Sequence, residues 1–311
     1  MASVPRATVD AFTKGINGIS NQARQMLAAR LAQIDIADVS ASAPEVVAVM
    51  EEYCGAAVRN VEALANRFYR MARMQALGVD NYDPDASSGR APEATEEATR
   101  AILQRAVDGG VDGCVEQLLQ RIDYEIKRGA GSTVLNAGQR DPVKPRYARV
   151  PTGAETCEFC IMLASRGFVY HSETSAGMLD HWHANCDCRV VPGFGKKPTV
   201  DGYDPDHYYE QYEDLGMRER MRLYRAERGL NSRSVRSERL EQYAEQNAAR
   251  RARNLSDAVS WIEDAQTVDE LRERMGLLND NLASMGINNE DSVKRLNAVL
   301  RRRRREIESA N

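Results

Sequence analysis

Four of the six cysteines and all four histidines of this 311-residue chain fall between residues 157 and 207. Cys157-Glu158-Phe159-Cys160 sets two thiols three positions apart, and His183-Ala184-Asn185-Cys186-Asp187-Cys188 follows it. Zinc takes four nitrogen or sulfur donors at about 2.0 to 2.3 Å in a tetrahedron. A Cys-x-x-Cys at a helix start presents both sulfurs from one turn, where the helix N-terminus and a bound metal each favour thiolate. His183, Cys186 and Cys188 offer the remaining donors from one tight turn. Five candidates, Cys157, Cys160, His183, Cys186 and Cys188, compete for four places. The favoured set is Cys157, Cys160, His183 and Cys186, with Cys188 as the substitute. Such a closed set holds Zn2+ for structure and leaves no open position for catalysis.

Other uses of these residues compete with that reading. Four clustered thiols could form two disulfides, but the N-terminus lacks the charged and apolar regions of a signal peptide, and a reducing cytoplasm disfavours them. Cys160 or Cys186 with His171 or His181 could form a Cys/His protease pair; a metal-bound thiolate would be quenched as a nucleophile. Asp180-His181-Trp182-His183 near paired cysteines resembles part of a metal-dependent nuclease but lacks its downstream Asn and His. There is no Gly-x-Ser-x-Gly, P-loop or dinucleotide fingerprint. The expectation is a protein that is not an enzyme.

The elements that must hold this cluster read mainly as α-helix. Few aromatics (6%) beside 28% charged residues favour helix packing over a β-sandwich. Net charge is −4, so nucleic-acid contact requires a local patch. No stretch approaches the length of a membrane span, and no membrane partner is expected. Phe12, Ile16, Ile19, Ala23, Leu27 and Leu31 predict a helix over 7–35. Ser42-Ala43-Pro44-Glu45 reads as a capping box. It opens a stripe, Val46, Met50, Cys54, Val58, Val61, Ala65, Phe68 and Ala72, about eight turns long. Helices are predicted from Pro92 to Val107 and from Gly110 to about Lys127. Cys54 and Cys114 read as small core residues.

Two prolines in Asp141-Pro142-Val143-Lys144-Pro145 exclude regular helix. Beyond them the spacing predicts a strand at Tyr147–Pro151, a brief helix from Cys157 to Arg166, and strands at 168–170 and 189–191. This insert is too poor in apolar residues to order itself without a staple. Helices resume at 206–215, where His207, Tyr208, Tyr209 and Tyr212 form a packing face first and a partner surface second. They continue over 234–263, and then as a hairpin from a capping box at Thr267-Val268-Asp269-Glu270 to Ile307, hinged near Gly286. The architecture predicted is an N-terminal helical domain (1–140), a metal-stapled α+β insert (141–200) and a C-terminal helical region (201–311). Arg301, Arg302, Arg303, Arg304 and Arg305 could bind packaged DNA or an acidic protein surface, although a charge run at a helix end is usually solvated. Trp182 reads as a wedge shielding the metal turn.

Arg149-Val150-Pro151-Thr152-Gly153 through Cys157-Glu158-Phe159-Cys160, Leu163-Ala164-Ser165-Arg166-Gly167 and Val169-Tyr170 resembles a signature of the MuF-like phage minor head proteins. His183-Ala184-Asn185-Cys186-Asp187-Cys188 with Val190-Val191-Pro192 is similar to the His-x-x-Cys-x-Cys ending of that family's core, in the version carried by actinobacterial phages and prophages. The resemblance covers roughly residues 45–195. It implies a minor capsid protein of low copy number, associated with the portal protein inside the capsid. The implied role is head morphogenesis, DNA packaging or ejection, first in the host cytoplasm and then in the virion. Some such proteins carry a C-terminal ADP-ribosyltransferase or are labelled capsid maturation proteases; the C-terminal third here lacks the Ser-Thr-Ser and Glu-x-Glu pattern of that transferase.

Overall fold

The computed structural model of the chain describes residues 3–153, 156–171, 187–216, 219 and 233–310. Among them the protein is mainly α-helical, with two small two-stranded sheets. Helices α1 (Arg6–Leu31), α2 (Val39–Leu77), α3 (Pro92–Gly109) and α4 (Cys114–Arg140) form the N-terminal part. α1 buries Val9, Phe12, Ile16, Leu27 and Leu31 against α2, where the rings of Phe12 and Phe68 stack with centroids 4.1 Å apart. The predicted stripe of α2 is buried from Val46 to Ala72.

Two helix boundaries depart from the sequence expectation. α2 starts before the predicted capping box: Asp38 is the cap, accepting from Ala41 N at 3.0 Å, and Pro44 lies inside the helix. Ser42 donates instead to Val39 O, and Glu45 pairs with Arg30 at 2.6 Å. α4 runs well past Lys127, through Gly129-Ala130-Gly131-Ser132-Thr133, to Arg140. The glycines, serine and threonine among them have low helix propensity, but burial against α2 overrides it. A β-carbon on Gly129 would sit 3.3 Å from Val61 Cγ1, so the glycine lets the two helices come close.

Asp141 ends α4 and begins the insert. Its carboxylate, fully buried, accepts from Tyr69 Oη (2.7 Å), Arg73 Nε (2.8 Å) and Val143 N (3.1 Å). Burial, then the Asp141 charge, holds the Tyr69 phenol well above its usual range, so it remains a donor. Strand β2 (Arg146–Pro151) leaves this anchor and pairs antiparallel with β3 (Cys188–Gly193), in register from Arg146 opposite Gly193 to Pro151 opposite Cys188. Tyr170 adds one antiparallel bridge to Tyr147. β1 (Ser3–Val4) pairs parallel with β4 (Thr199–Val200), returning the chain's start to the end of the insert.

One apolar core joins α1–α4 to the insert, taking in Val143, Tyr147, Val150, Leu163, Val190, Val191 and Phe194. The described part of the insert is therefore packed on the N-terminal helices and does not depend only on its own few apolar residues. Helix α5 (Glu158–Ala164) lies against β2, and α6 (Pro205–Asp214) packs on α5 through Tyr203, whose hydroxyl donates to Ala164 O. Tyr212 is partly buried on the same core, while Tyr209 is exposed.

Helices α7 (Arg233–Glu263), α8 (Val268–Met285) and α9 (Glu290–Ala310) share a second core of Ala258, Ile262, Leu271, Leu278, Met285, Leu296 and Ile307. Thr267 caps α8 as the sequence predicts, accepting from Glu270 N at 3.1 Å; the Glu270 carboxylate reaches Gln266 N. Gly286, at φ 72°, turns the chain toward α9 in a conformation a β-carbon disfavours. No helix among the described residues is long and apolar enough to cross a membrane.

Removing one partner of the Arg73–Asp141 pair leaves a buried charge uncompensated. Asp141→Ala is expected to cost roughly 3 to 5 kcal/mol in urea unfolding, and Arg73→Met/Asp141→Leu together to cost less than either change alone. Equal or additive losses would show that the pair is not the unit that matters.

Candidate metal centre

Cys157 is the N-cap of α5, and its sulfur accepts from Cys160 N at 3.4 Å. That cap, with Glu158 in the first turn, starts the helix and aims Cys160 inward, where it is fully buried. Cys188, the first residue of β3, meets it: the two sulfurs are in hydrogen-bond contact at 2.8 Å, with Cys157 packed against both. Two segments 28 residues apart thus bring three of the five candidate ligands together. His183 and Cys186 lie outside the described residues, as do His181 and Trp182. Cys188, the expected substitute, is the member of its motif seen beside Cys157 and Cys160.

The chemistry of the donors fits a thiophilic metal. Arg149, 2% exposed on β2, donates to Cys188 Sγ from Nε (3.2 Å) and Nη2 (2.8 Å). Two hydrogen bonds from a cation suit a sulfur that carries negative charge, the form in which sulfur binds zinc. Among the described residues no group of three or more Cys, His, Asp or Glu is placed so that it could hold a metal ion. A four-donor site would need a further ligand from the segment that contains His183 and Cys186.

Sequence reasoning did not single out Arg149 or Asp187 for this site. Asp187 ties the turn before α5 to the start of β3: its Oδ2 accepts from Gly153 N (3.2 Å) and Thr156 Oγ1 (3.0 Å), and its carbonyl from Thr152 N (3.2 Å) and Thr152 Oγ1 (2.5 Å). A β-carbon on Gly153 would lie 2.8 Å from that of Asp187, so the approach needs glycine. The available signal was the polar character of Arg149, Thr152 and Gly153 in a strand and turn otherwise suited to apolar packing. All three bear on the cysteine cluster or its flanking turn.

The other singled-out residues lie elsewhere. His171 is the residue after the Tyr170 bridge; burial, then Arg250 and Arg146, push its imidazole down to about 4. His207 is exposed on α6 beside Gln211. Cys54 is buried on α2, its thiol pushed up to about 12 by burial, then by the Glu125 charge, as expected of an inert core residue. Cys114 is buried at the start of α4. The Arg301–Arg305 run lies on α9, where Arg302 pairs with Glu263 and Glu306, Arg303 with Glu306, and Arg304 with Glu308.

These features define a helical protein whose cysteine cluster sits on a small hairpin packed against its N-terminal helices. Residues 3–215 match the VG15 protein family, and the chain belongs to it. It is similar to the Gene 15 protein of Mycobacterium phage D29, at 32% identity over a stretch covering 22% of this chain and 37% of that protein. It is also similar to the Gene 15 protein of Mycobacterium phage L5, at 31% identity over the same shares. The chain thus belongs to a bacteriophage protein family, and the match spans just over a third of the length of these curated relatives. No solved structure matches it.

Arg149→Met keeps much of the side-chain length but removes both hydrogen bonds to Cys188. The expected result is a stability loss of about 2 kcal/mol, with faster amide hydrogen exchange in β2 and β3 and little change in α1. Unchanged exchange in the hairpin would mean that the guanidinium does not support the cluster.

Proposed function

We propose that this protein is a minor head protein of a tailed phage, associated with the portal inside the capsid, where it assists head morphogenesis or DNA packaging and ejection. The reading rests on its phage family and on the MuF-like pattern of its insert. The observation that carries it is the convergence of Cys157, Cys160 and Cys188, the residues on which that pattern centres. The protein acts in low copy number, assembling in the host cytoplasm and passing into the capsid interior.

Within this reading Cys157, Cys160 and Cys188 hold a structural Zn2+, with His183 or Cys186 as the fourth donor. Four protein donors close the coordination sphere, so the ion braces α5 against β3 and activates no water. Arg149 and Asp187 orient the donors from behind. The protein is not an enzyme. Its outer helices, including Arg301 and Arg305, which pair with no carboxylate among the described residues, face the portal or packaged DNA.

Two measurements test the halves of this proposal separately. Protein purified without chelator should contain about one zinc per chain, and stripping it should lower the thermal midpoint by roughly 10 °C or more. Metal-free protein with the same midpoint would remove the zinc. Co-expression with the cognate portal should retain the chain on portal assemblies, and failure to do so would remove the head role. Turnover of capsid protein or DNA that Cys160→Ala abolishes in a folded variant would replace both with an enzyme.

A further inference from the structure

A cavity of about 780 Å³ lies between the insert and α7, with none of the cysteines among its described lining residues. Its described walls come from the end of α4 (Arg140), the linker and β2 (Lys144, Tyr147), the Arg166–His171 segment, and Arg250 and Arg253 of α7. Among these described lining residues there are five Lys or Arg and no Asp or Glu. The excess of positive charge stands out in a chain whose net charge is −4.

Part of that charge is already engaged. Lys144 pairs with Asp257, and Arg140 donates to Asp85 O. Arg250 is different. Among the described residues its Nη2 meets only the neutral Asn247 side chain, at 3.2 Å, and its Nε is buried with no hydrogen-bond partner. A buried, unmatched guanidinium N–H costs free energy unless an acceptor arrives. The same corner is costly for cations: burial, then neighbouring Arg251, lowers the Arg250 pKa, and burial with Arg250 and Arg146 depresses His171. A bound anion would relieve both penalties.

We propose that this cavity is a binding site for a small phosphate-class oxyanion, held by Arg250 with Arg253, Arg166 and His171 around it. The volume is that of a small-molecule site, large enough for a pyrophosphate or nucleotide. Duplex DNA fits less well, because its phosphates lie on a cylinder too wide to enter such a recess and reach a buried Nε. The site is independent of the zinc and portal readings, drawing on none of their ligands.

The test titrates the full chain with inorganic phosphate, pyrophosphate, ADP and a random-sequence DNA duplex, in low-salt buffer, by calorimetry. Pyrophosphate or ADP should bind, and Arg250→Gln should weaken that binding about tenfold or more while leaving the circular dichroism spectrum unchanged. Arg253→Gln, at an exposed position, should weaken it less and guards against a folding artefact in the first variant. Alanine at 301–305 should leave it unchanged. The proposal is overturned if no small anion binds at millimolar concentration, or if binding survives both single variants. It is equally overturned if duplex DNA alone binds in an Arg250-dependent way.

Discussion

The buried carboxylate of Asp141 is the constraint on which the insert depends. It lies where α4 stops, and its three donors come from two directions: Tyr69 and Arg73 on α2, and Val143 two residues ahead. Arg73 is fixed in turn by Asn81, at 2.7 Å, and by the face of Tyr82, while its Nη2 stays buried without a partner. Such an arrangement contributes little net stability, since desolvating two charges offsets their attraction. It does confer direction. Misplacing the linker would leave a charge unpaired in the core, so the chain has one low-energy exit from α4. Lys144, at φ 43°, extends the same knot to Asp257 on α7 and so links the linker to the second core.

From that exit the geometry of the cysteine cluster follows. β2 starts at Arg146, five residues past the anchor, and its register with β3 places Arg149 opposite Val190 and Pro151 opposite Cys188. A shift of one residue would turn Arg149 toward the other face of the ribbon and away from the sulfur. The glycines guard this register. A β-carbon at Gly138 would strike Tyr147, and one at Gly193 would strike Phe168. Tyr147 donates to Leu135 O at 3.1 Å, tying the strand back to the helix that precedes the anchor. The cluster is thus positioned by packing on α2 and α4 before any metal is considered, and a metal would lock α5 to β3 within a frame already set.

The features legible in the sequence are those set by short-range patterns. The α2 stripe, the break at Asp141-Pro142, the Cys157 helix start, the Thr267 cap and the Gly286 turn each lie within a few residues of their cause. Tertiary causes were not legible. Ser42-Ala43-Pro44-Glu45 satisfies the capping pattern, yet Asp38 caps the helix because Glu45 is drawn to Arg30. The glycine-rich end of α4 reads as a helix stop until the close approach of α2 is known. The insert reads as short of apolar surface because the surface it packs on belongs to other elements. The pattern favoured Cys186 over Cys188 as a ligand, yet positions two apart in extended chain share a face, so alternation gave no ground for that order. Arg149, 39 residues from Cys188 in sequence, gave no local sign of its partner.

The distribution of cations follows the same rule. The most conspicuous basic feature of the sequence is Arg301–Arg305, but acidic residues lie within reach of it: Glu306 and Glu308 sit three or four positions beyond the arginines they pair with, and Glu263 at the end of α7 meets Arg302. Pairs at this spacing on an exposed helix are weak, yet they lower the local potential that an incoming phosphate would meet. Arg250 lies in a short basic stretch of α7, beside Arg251 and Arg253. Folding half-buries it, shutting its Nε away from water, and gives it a neutral amide, with other cations around it. Anion affinity depends on how much of a cation's field is left uncompensated at the place a ligand can reach. By that measure Arg250 beside the insert outranks the run of five.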